Sequence, residues 1–192
     1  MISLSLIVST YFVIFLAELP DKTALAALVL ATRFRARDVI LGASLAFAIQ
    51  TIVAVAAGSV LTLLPVMPIR IASGVGFLIF SVLSLRRKDE GFEEGAVVSA
   101  VGRRSPWVSS FLIIFAAEWG DLTQLATAAL VAQTRNPLSI GIGAVLALWT
   151  VTLLAAYAGN KLGEVLRPQI LNLLSAILFA AIGLFIIYTA IF

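Results

Sequence analysis

The sequence of 192 residues contains no cysteine and no histidine, and only 12% of its residues are charged. These absences exclude disulfide bonds, thiolate or imidazole metal ligands, a serine–histidine–aspartate triad and a histidine-based proton relay. The remaining ionisable chemistry is that of carboxylates, lysine and arginine. We therefore expect neither an enzymatic activity nor a permanent cofactor.

Hydrophobic residues, in contrast, make up 61% of the chain, and the mean hydropathy of +1.11 lies far above that of ordinary soluble domains. A helix needs about 20 apolar residues to cross the hydrocarbon core of a bilayer. The sequence thus predicts an all-α polytopic membrane protein, surrounded by lipid, with six transmembrane helices and no sizeable soluble domain. The apolar stretches are residues 2–31, 39–64, 69–85, 107–132, 138–162 and 170–192. The first lacks the basic segment and cleavage site of a signal peptide, and we expect it to be retained.

The basic residues between these stretches are distributed unequally between the two predicted faces. Only Arg70 and Arg135 fall on one face. The other face carries ten: Arg33, Arg35, Arg37, Arg86, Arg87, Lys88, Arg103, Arg104, Lys161 and Arg167. The positive-inside rule places the ten-residue face, with the central loop, in the cytoplasm and both termini outside the inner (plasma) membrane. A net charge of +3 confined to loops implies no nucleic-acid partner.

The two halves of the chain resemble each other. Residues 17–23 read AELPDKT and residues 117–123 read AEWGDLT, and residues 42–46 match residues 143–147 in the same way. Three predicted spans in each half, an odd number, make the second half cross the membrane in the opposite direction to the first. We predict a three-helix repeat over residues 1–86, a charged cytoplasmic linker over 87–105 and an inverted repeat over 106–192. Inverted repeats are typical of secondary transporters, whose sites lie near the midplane between the repeats.

Each half carries a glutamate and an aspartate three residues apart inside its first apolar stretch, Glu18 with Asp21 and Glu118 with Asp121. This spacing puts both acids of a pair on one helix face. A charge at the bilayer centre costs roughly 2.5 to 3.5 kcal/mol, so four carboxylates need a bound cation or bound protons. Oxygen ligands without sulfur or imidazole suit Mg, Ca or Mn, with zinc and iron as alternatives. We predict one metal site shared by the four acids; helix capping or ion pairing near the interfaces is the alternative interpretation.

Other residues near the acids are candidates for accessory roles. Pro20 and Gly120 lie between the members of each acidic pair and predict breaks in the two helices. Polar residues beside the breaks, together with one in the second span, are candidate accessory ligands or gating residues: Lys22, Thr23, Thr123, Gln124 and Gln50. Interhelical hydrogen bonds, and a structural ion pair for the lysine, are their alternative roles.

The twin motif resembles the E-x-G-D-[KR]-[ST] signature of a cation/proton exchanger family that includes bacterial manganese exporters of the MneA type and Golgi and chloroplast manganese and calcium transporters. The resemblance extends over nearly the whole chain. It implies export of a divalent cation, manganese foremost and calcium next, in exchange for protons, with the four acids as the coordinating residues. Pro20 in place of glycine and Leu122 in place of a basic residue depart from the signature.

Two other functions fit a chain of this kind. One is an exporter of a small organic solute such as an amino acid, which needs a site of balanced charge. Four acids and a single lysine inside the predicted spans favour a cation instead. The other is a membrane scaffold or assembly factor without transport activity. Such a function does not explain why a pair of buried acids occurs in both halves. The sequence assigns no oligomeric state.

Overall fold

The computed structural model describes residues 2–18, 30–31, 34–86, 105–158 and 168–191. In these ranges the chain forms helices and no strand, which confirms the predicted all-α class there. The helices are α1 (Leu4–Glu18), α2 (Ala36–Leu61), α3 (Val66–Arg86), α4 (Pro106–Ala117), α5 (Leu122–Thr134), α6 (Pro137–Ala158) and α7 (Pro168–Ile191). The predicted fourth span, residues 107–132, consists of two helices, α4 and α5, with a turn between them.

Prolines determine several of the helix boundaries. Three helices begin with one, at Pro106, Pro137 and Pro168, where the fixed φ fits a helix and the missing N–H has no intrahelical partner to lose. Pro65 does not begin a helix. Its ring disfavours helical backbone at the residue before it, so the helical region ends ahead of it. Residues 62–64 accordingly form a turn although they continue the apolar stretch.

The outside of the bundle is apolar and its inside contains polar side chains. Leu63, Tyr157 and Phe185 are 84%, 70% and 66% exposed, and many other large apolar residues are exposed as well. Among the described helices, Ala36–Leu61 and Pro137–Tyr157 are long and apolar enough to cross a membrane. Shorter apolar helices cover Leu4–Glu18, Met67–Leu83, Pro106–Ala117 and Phe179–Ile191. An apolar exterior of this extent indicates a surface that is covered by something other than water.

The first helix of each half packs against the helix formed by the second apolar stretch of the other half. Along α1 and α6, the Ser3 amide donates to Ser139 Oγ at 2.8 Å, and Gly143 lies against the backbone of Ile7. Along α4 and α2, Gly42 lies against the backbone of Trp107, and Gln50 Nε2 donates to the Phe115 carbonyl at 3.0 Å. In both pairs, higher-numbered residues of one helix contact higher-numbered residues of the other, so the paired helices run parallel. The two halves are therefore interlocked in the described part of the chain.

Two other helix pairs run antiparallel. Trp149 Nε1 donates to the Ser44 carbonyl at 3.1 Å between α6 and α2, whereas Gly141 approaches Val55 further along α2. Helices α3 and α7 are joined by the Phe77 and Phe179 rings, whose centroids are 5.9 Å apart. Because α2 opposes α6, their parallel partners α4 and α1 also point in opposite directions.

Two arginines mark one end of the bundle. Arg135 donates to the Leu64 carbonyl at 3.3 Å, and Arg70 to the Thr189 carbonyl at 3.5 Å. The first bond joins the C-terminal ends of α2 and α5, and the second joins the start of α3 to the C-terminal end of α7. The short turn between α2 and α3 puts these ends on the same side of the bundle. We call this end, with Arg70 and Arg135, the Arg135 end.

Substitution of the interhelical glycines tests this packing. A methyl group at Gly42 would overlap the Trp107 carbonyl, and one at Gly143 would lie 2.6 Å from the Ile7 carbonyl. We expect Gly42→Ala and Gly143→Ala each to lower the free energy of unfolding by about 1 to 3 kcal/mol, as overpacking does. Gly76→Ala is the control, since a methyl group in α3 there meets nothing within 4 Å. Denaturant unfolding in detergent measures all three; equal stabilities would contradict the close approach.

Candidate metal centre

Acids from the two halves of the chain meet at one buried point. Glu18 is the last residue of α1, Glu118 follows the end of α4, and Asp121 precedes α5. One carboxylate oxygen from each lies within 4.8 Å of the other two. Glu18 is 0% exposed and Glu118 3% exposed, and Asp121 is partly buried. Three of the four predicted metal ligands are thus close enough to bind one ion together.

The C-terminus of α4 adjoins this cluster. The last carbonyl groups of a helix have no intrahelical partner and carry the negative end of the helix dipole. Helix α4 ends at Ala117, and Glu118 leaves the helical conformation with φ −102° and ψ 9°. Helix α1 reaches the same place from the opposite direction, with Glu18 as its last described residue. The end of α4 and all three carboxylates therefore favour a cation.

The break between α4 and α5 fixes the orientation of Asp121. Gly120 has φ +76°, a left-handed conformation that glycine adopts without strain. Asp121 then caps α5: the Gln124 amide donates to Oδ1 at 2.8 Å, and Thr123 Oγ1 donates to Oδ2 at 2.5 Å. An N-cap of this kind satisfies an amide that would otherwise lack a partner. Both carboxylate oxygens are oriented by these bonds, and an ionised carboxylate offers about four lone-pair positions in all.

Two glutamines connect the break to α2. Gln124 Oε1 accepts from the Gly120 amide at 2.7 Å, and Gln124 Nε2 donates to the Gln50 carbonyl at 3.3 Å. Gln50 Nε2 in turn donates to the Phe115 carbonyl at 3.0 Å, which is in the last turn of α4. The side chains of Gln50 and Gln124 thus bridge both sides of the break. Their amides act here as positioning groups for the cluster.

A small pocket adjoins Asp121. Its volume is about 10 Å³, enough for one water molecule or one ion. The lining residues are Phe47, Gln50, Thr51, Ala54, Asp121, Thr123, Gln124, Thr127 and Leu148. Thr51 and Thr127 are not among the candidates that the sequence pattern indicates. Thr127 could have been found from its position one helical turn after Thr123, and Thr51 from its place next to Gln50.

The predicted site residues therefore divide into two groups. Glu18, Glu118 and Asp121 form the cluster. Thr123, Gln124, Gln50 and Gly120 surround it through the bonds described above. Asp21, Pro20, Lys22 and Thr23 lie outside the described residues.

Comparison with known proteins gives one consistent result. The family model described as "Divalent cation/proton antiporter GDT1" matches residues 6–91 and 106–192. A GDT1-like protein of Synechocystis sp. is 33% identical over 180 residues, which cover 85% of this chain and 87% of the relative. GDT1-like protein 5 of Oryza sativa subsp. japonica is 28% identical over 205 residues, 88% of each chain.

A longer relative matches over only part of its length. Protein PAM71, chloroplastic, of Arabidopsis thaliana is 30% identical over 198 residues, 89% of this chain. The match covers 53% of the relative, so this chain spans about half the length of that protein. No solved structure matches the chain.

Proposed function

Because this chain belongs to the divalent cation/proton antiporter GDT1 family, we propose that it is a secondary transporter that exports a divalent cation in exchange for protons. The convergence of Glu18, Glu118 and Asp121 within 4.8 Å carries the proposal. Carboxylates inside an apolar bundle are costly. A bound cation offsets that cost and explains why three acids lie together.

The transported ion in this proposal is manganese first and calcium second. Carboxylate and carbonyl oxygens, with no thiolate or imidazole anywhere in the chain, are ligands that suit Mn, Ca and Mg. Asp21 is the fourth proposed ligand, by its equivalence to Asp121 in the repeated motif. The ion is the substrate of the protein and no resident cofactor is needed.

Exchange for protons follows from the chemistry of such ligands. A carboxylate must be deprotonated to bind a metal ion, so metal and protons compete for the same oxygen atoms. Protons that arrive from outside then displace the ion, and a metal ion that arrives from the cytoplasm displaces protons. The same cluster serves both substrates in turn.

We propose that the chain lies in the inner membrane as six transmembrane helices in two inverted repeats. The apolar exterior supports lipid as its surroundings. The parallel pairing of α1 with α6 and of α4 with α2 supports two halves of opposite direction. With the positive-inside rule, the central loop is cytoplasmic, and the Arg135 end and both termini are outside.

Export of an amino acid, the main alternative, is less compatible with the described residues. An amino acid carries one positive and one negative group at neutral pH and needs a site of balanced charge. The described cluster brings three carboxylates together, which favours a cation.

Transport by purified protein in vesicles containing a pH dye tests the proposal. We expect external Mn²⁺ to enter while the vesicle interior becomes more alkaline, since each ion taken up expels protons. Ca²⁺, Mg²⁺ and an amino acid mixture are run in parallel to rank the substrates. Mn²⁺ flux without any pH change would contradict the exchange, and amino acid flux without metal flux would favour the alternative.

A further inference from the structure

The pocket beside Asp121 extends from the carboxylate cluster toward the Arg135 end. On α2 its lining advances from Phe47 through Thr51 to Ala54, and on α5 from Thr123 to Thr127. Both helices run toward the Arg135 end, where Arg135 donates to the carbonyl of Leu64. The pocket therefore lies on the outer side of Asp121 in the proposed orientation.

The threonine hydroxyls on α5 present only acceptor lone pairs to the pocket. Thr127 Oγ1 donates its hydrogen to the Thr123 carbonyl at 2.7 Å, and Thr123 Oγ1 donates to Asp121 Oδ2. A hydroxyl has one hydrogen and two lone pairs, so a hydroxyl that has donated its hydrogen can only accept. The Asp121 carboxylate is likewise an acceptor. The threonine and aspartate oxygens of this wall suit a cation.

The volume and the position of the pocket fit a step of cation transport. About 10 Å³ accommodates one ion but excludes its full hydration shell. Asp121 belongs both to the carboxylate cluster and to the pocket lining. It can therefore bind the ion while the ion moves from Glu18 and Glu118 to the threonine oxygens.

We propose that this pocket is a transit subsite for the divalent cation, formed by Thr51, Thr123 and Thr127 with Asp121 as the shared ligand. The proposal rests on the proposed transport function. Neutral hydroxyl oxygens bind a cation more weakly than carboxylates, and conduction requires sites weak enough for the ion to leave. The subsite thus lowers the barrier to release at the Arg135 end.

The outer boundary of the subsite is a close contact between α2 and α5. A methyl group at Gly58 would overlap the Ala128 carbonyl and lie 2.7 Å from Val131 Cβ. Gly58, Ala128 and Val131 follow the pocket residues along their helices. Release of the ion from the subsite therefore needs α5 to move away from α2 at this contact.

Removal of the Thr127 hydroxyl distinguishes an effect on the rate of Mn²⁺ transport from an effect on Mn²⁺ affinity. For Thr127→Val, we expect the dissociation constant of Mn²⁺ for the purified protein, measured by equilibrium dialysis, to stay unchanged. We expect the rate of Mn²⁺ transport in vesicles to fall about tenfold, the factor that corresponds to one net hydrogen bond or metal contact of ~1.4 kcal/mol. Thr51→Val, on the opposite wall of the pocket, should likewise lower the transport rate and leave the dissociation constant unchanged.

Two variants control for a change in folding. Thr127→Ser keeps the hydroxyl and should restore the transport rate. Thr134→Val removes a hydroxyl of the same helix that makes the same type of bond, to the Leu130 carbonyl at 2.7 Å, but lies outside the pocket lining. It should transport like the unmodified protein.

The possible outcomes distinguish this proposal from the proposed function. Equal losses of Mn²⁺ affinity and rate in Thr127→Val would place the hydroxyl in the main site and overturn the transit subsite. An unchanged rate would show that the pocket is not on the path. In both cases the unmodified protein still transports Mn²⁺ and the proposed function stands; absence of metal binding and flux in the unmodified protein would refute both.

Discussion

Glu118→Gln is expected to abolish the stabilisation that a divalent cation gives the folded protein. A ligand that binds only the native state adds about 2.7 kcal/mol to the free energy of unfolding at 100 times its dissociation constant. Glutamine keeps the size of glutamate but removes one of the charges within 4.8 Å of the ion position. Glu18→Gln should have the same effect, because its carboxylate comes from the other side of the same cluster.

Thermal unfolding in detergent, with and without Mn²⁺, measures this effect. The melting temperature of the unmodified protein should rise with Mn²⁺, and those of the two variants should not. Asp38→Asn is the matched control, since Asp38 lies in the first turn of α2, outside the cluster, and should keep the full shift. A variant at Glu18 or Glu118 that still gains stability from Mn²⁺ would contradict the shared site.

Asp121 combines two roles that Asp121→Asn and Asp121→Ala separate. Its carboxylate is part of the metal cluster, and its Oδ1 caps α5 by accepting from the Gln124 amide. Asparagine caps a helix about as well as aspartate, whereas alanine in place of aspartate costs roughly 0.5 to 2 kcal/mol. Both variants should lose the Mn²⁺-dependent stabilisation and Mn²⁺ transport.

Only Asp121→Ala should also be less stable without metal, by roughly 1 kcal/mol. Denaturant unfolding of the metal-free proteins measures this difference, and hydrogen exchange should place the loss in the first turn of α5. Equal metal-free stabilities of the two variants would mean that the cap contributes nothing. Normal transport by Asp121→Asn would remove Asp121 from the ligand set.

The family and the candidate ligands could be predicted because both depend on local patterns. The acids stand out at a fixed spacing inside apolar stretches, and their motif led to the exchanger family, which the family match confirms. The described bounds of α2, α3 and α7 lie within a few residues of the corresponding apolar stretches. The deviations have local causes: α2 begins in the charged segment at Ala36, and Pro65 ends the helical region before the apolar stretch ends.

The break in the fourth predicted span shows where such patterns stop being sufficient. Glycine permits a left-handed residue but does not require one, and many glycines in this chain lie inside helices. Gly120 adopts φ +76° in a turn that hydrogen bonds hold in place. Its amide donates to the side chain of Gln124, which in turn donates to the Gln50 carbonyl. The Phe115 carbonyl bonded by Gln50 is 65 residues away in the sequence. No local rule predicts such a partner.

The amino-acid sequence alone is sufficient to specify an apolar helical protein with two similar halves and paired acids, because composition, periodicity and spacing are properties of the chain itself. The tertiary structure decided which acids meet, where the fourth apolar stretch breaks, and that threonines of α2 and α5 enclose a pocket next to Asp121. The physical reason is that hydrogen-bond partners and the distances between carboxylates depend on how the helices pack. In this protein the decisive contacts join helices that are far apart along the chain.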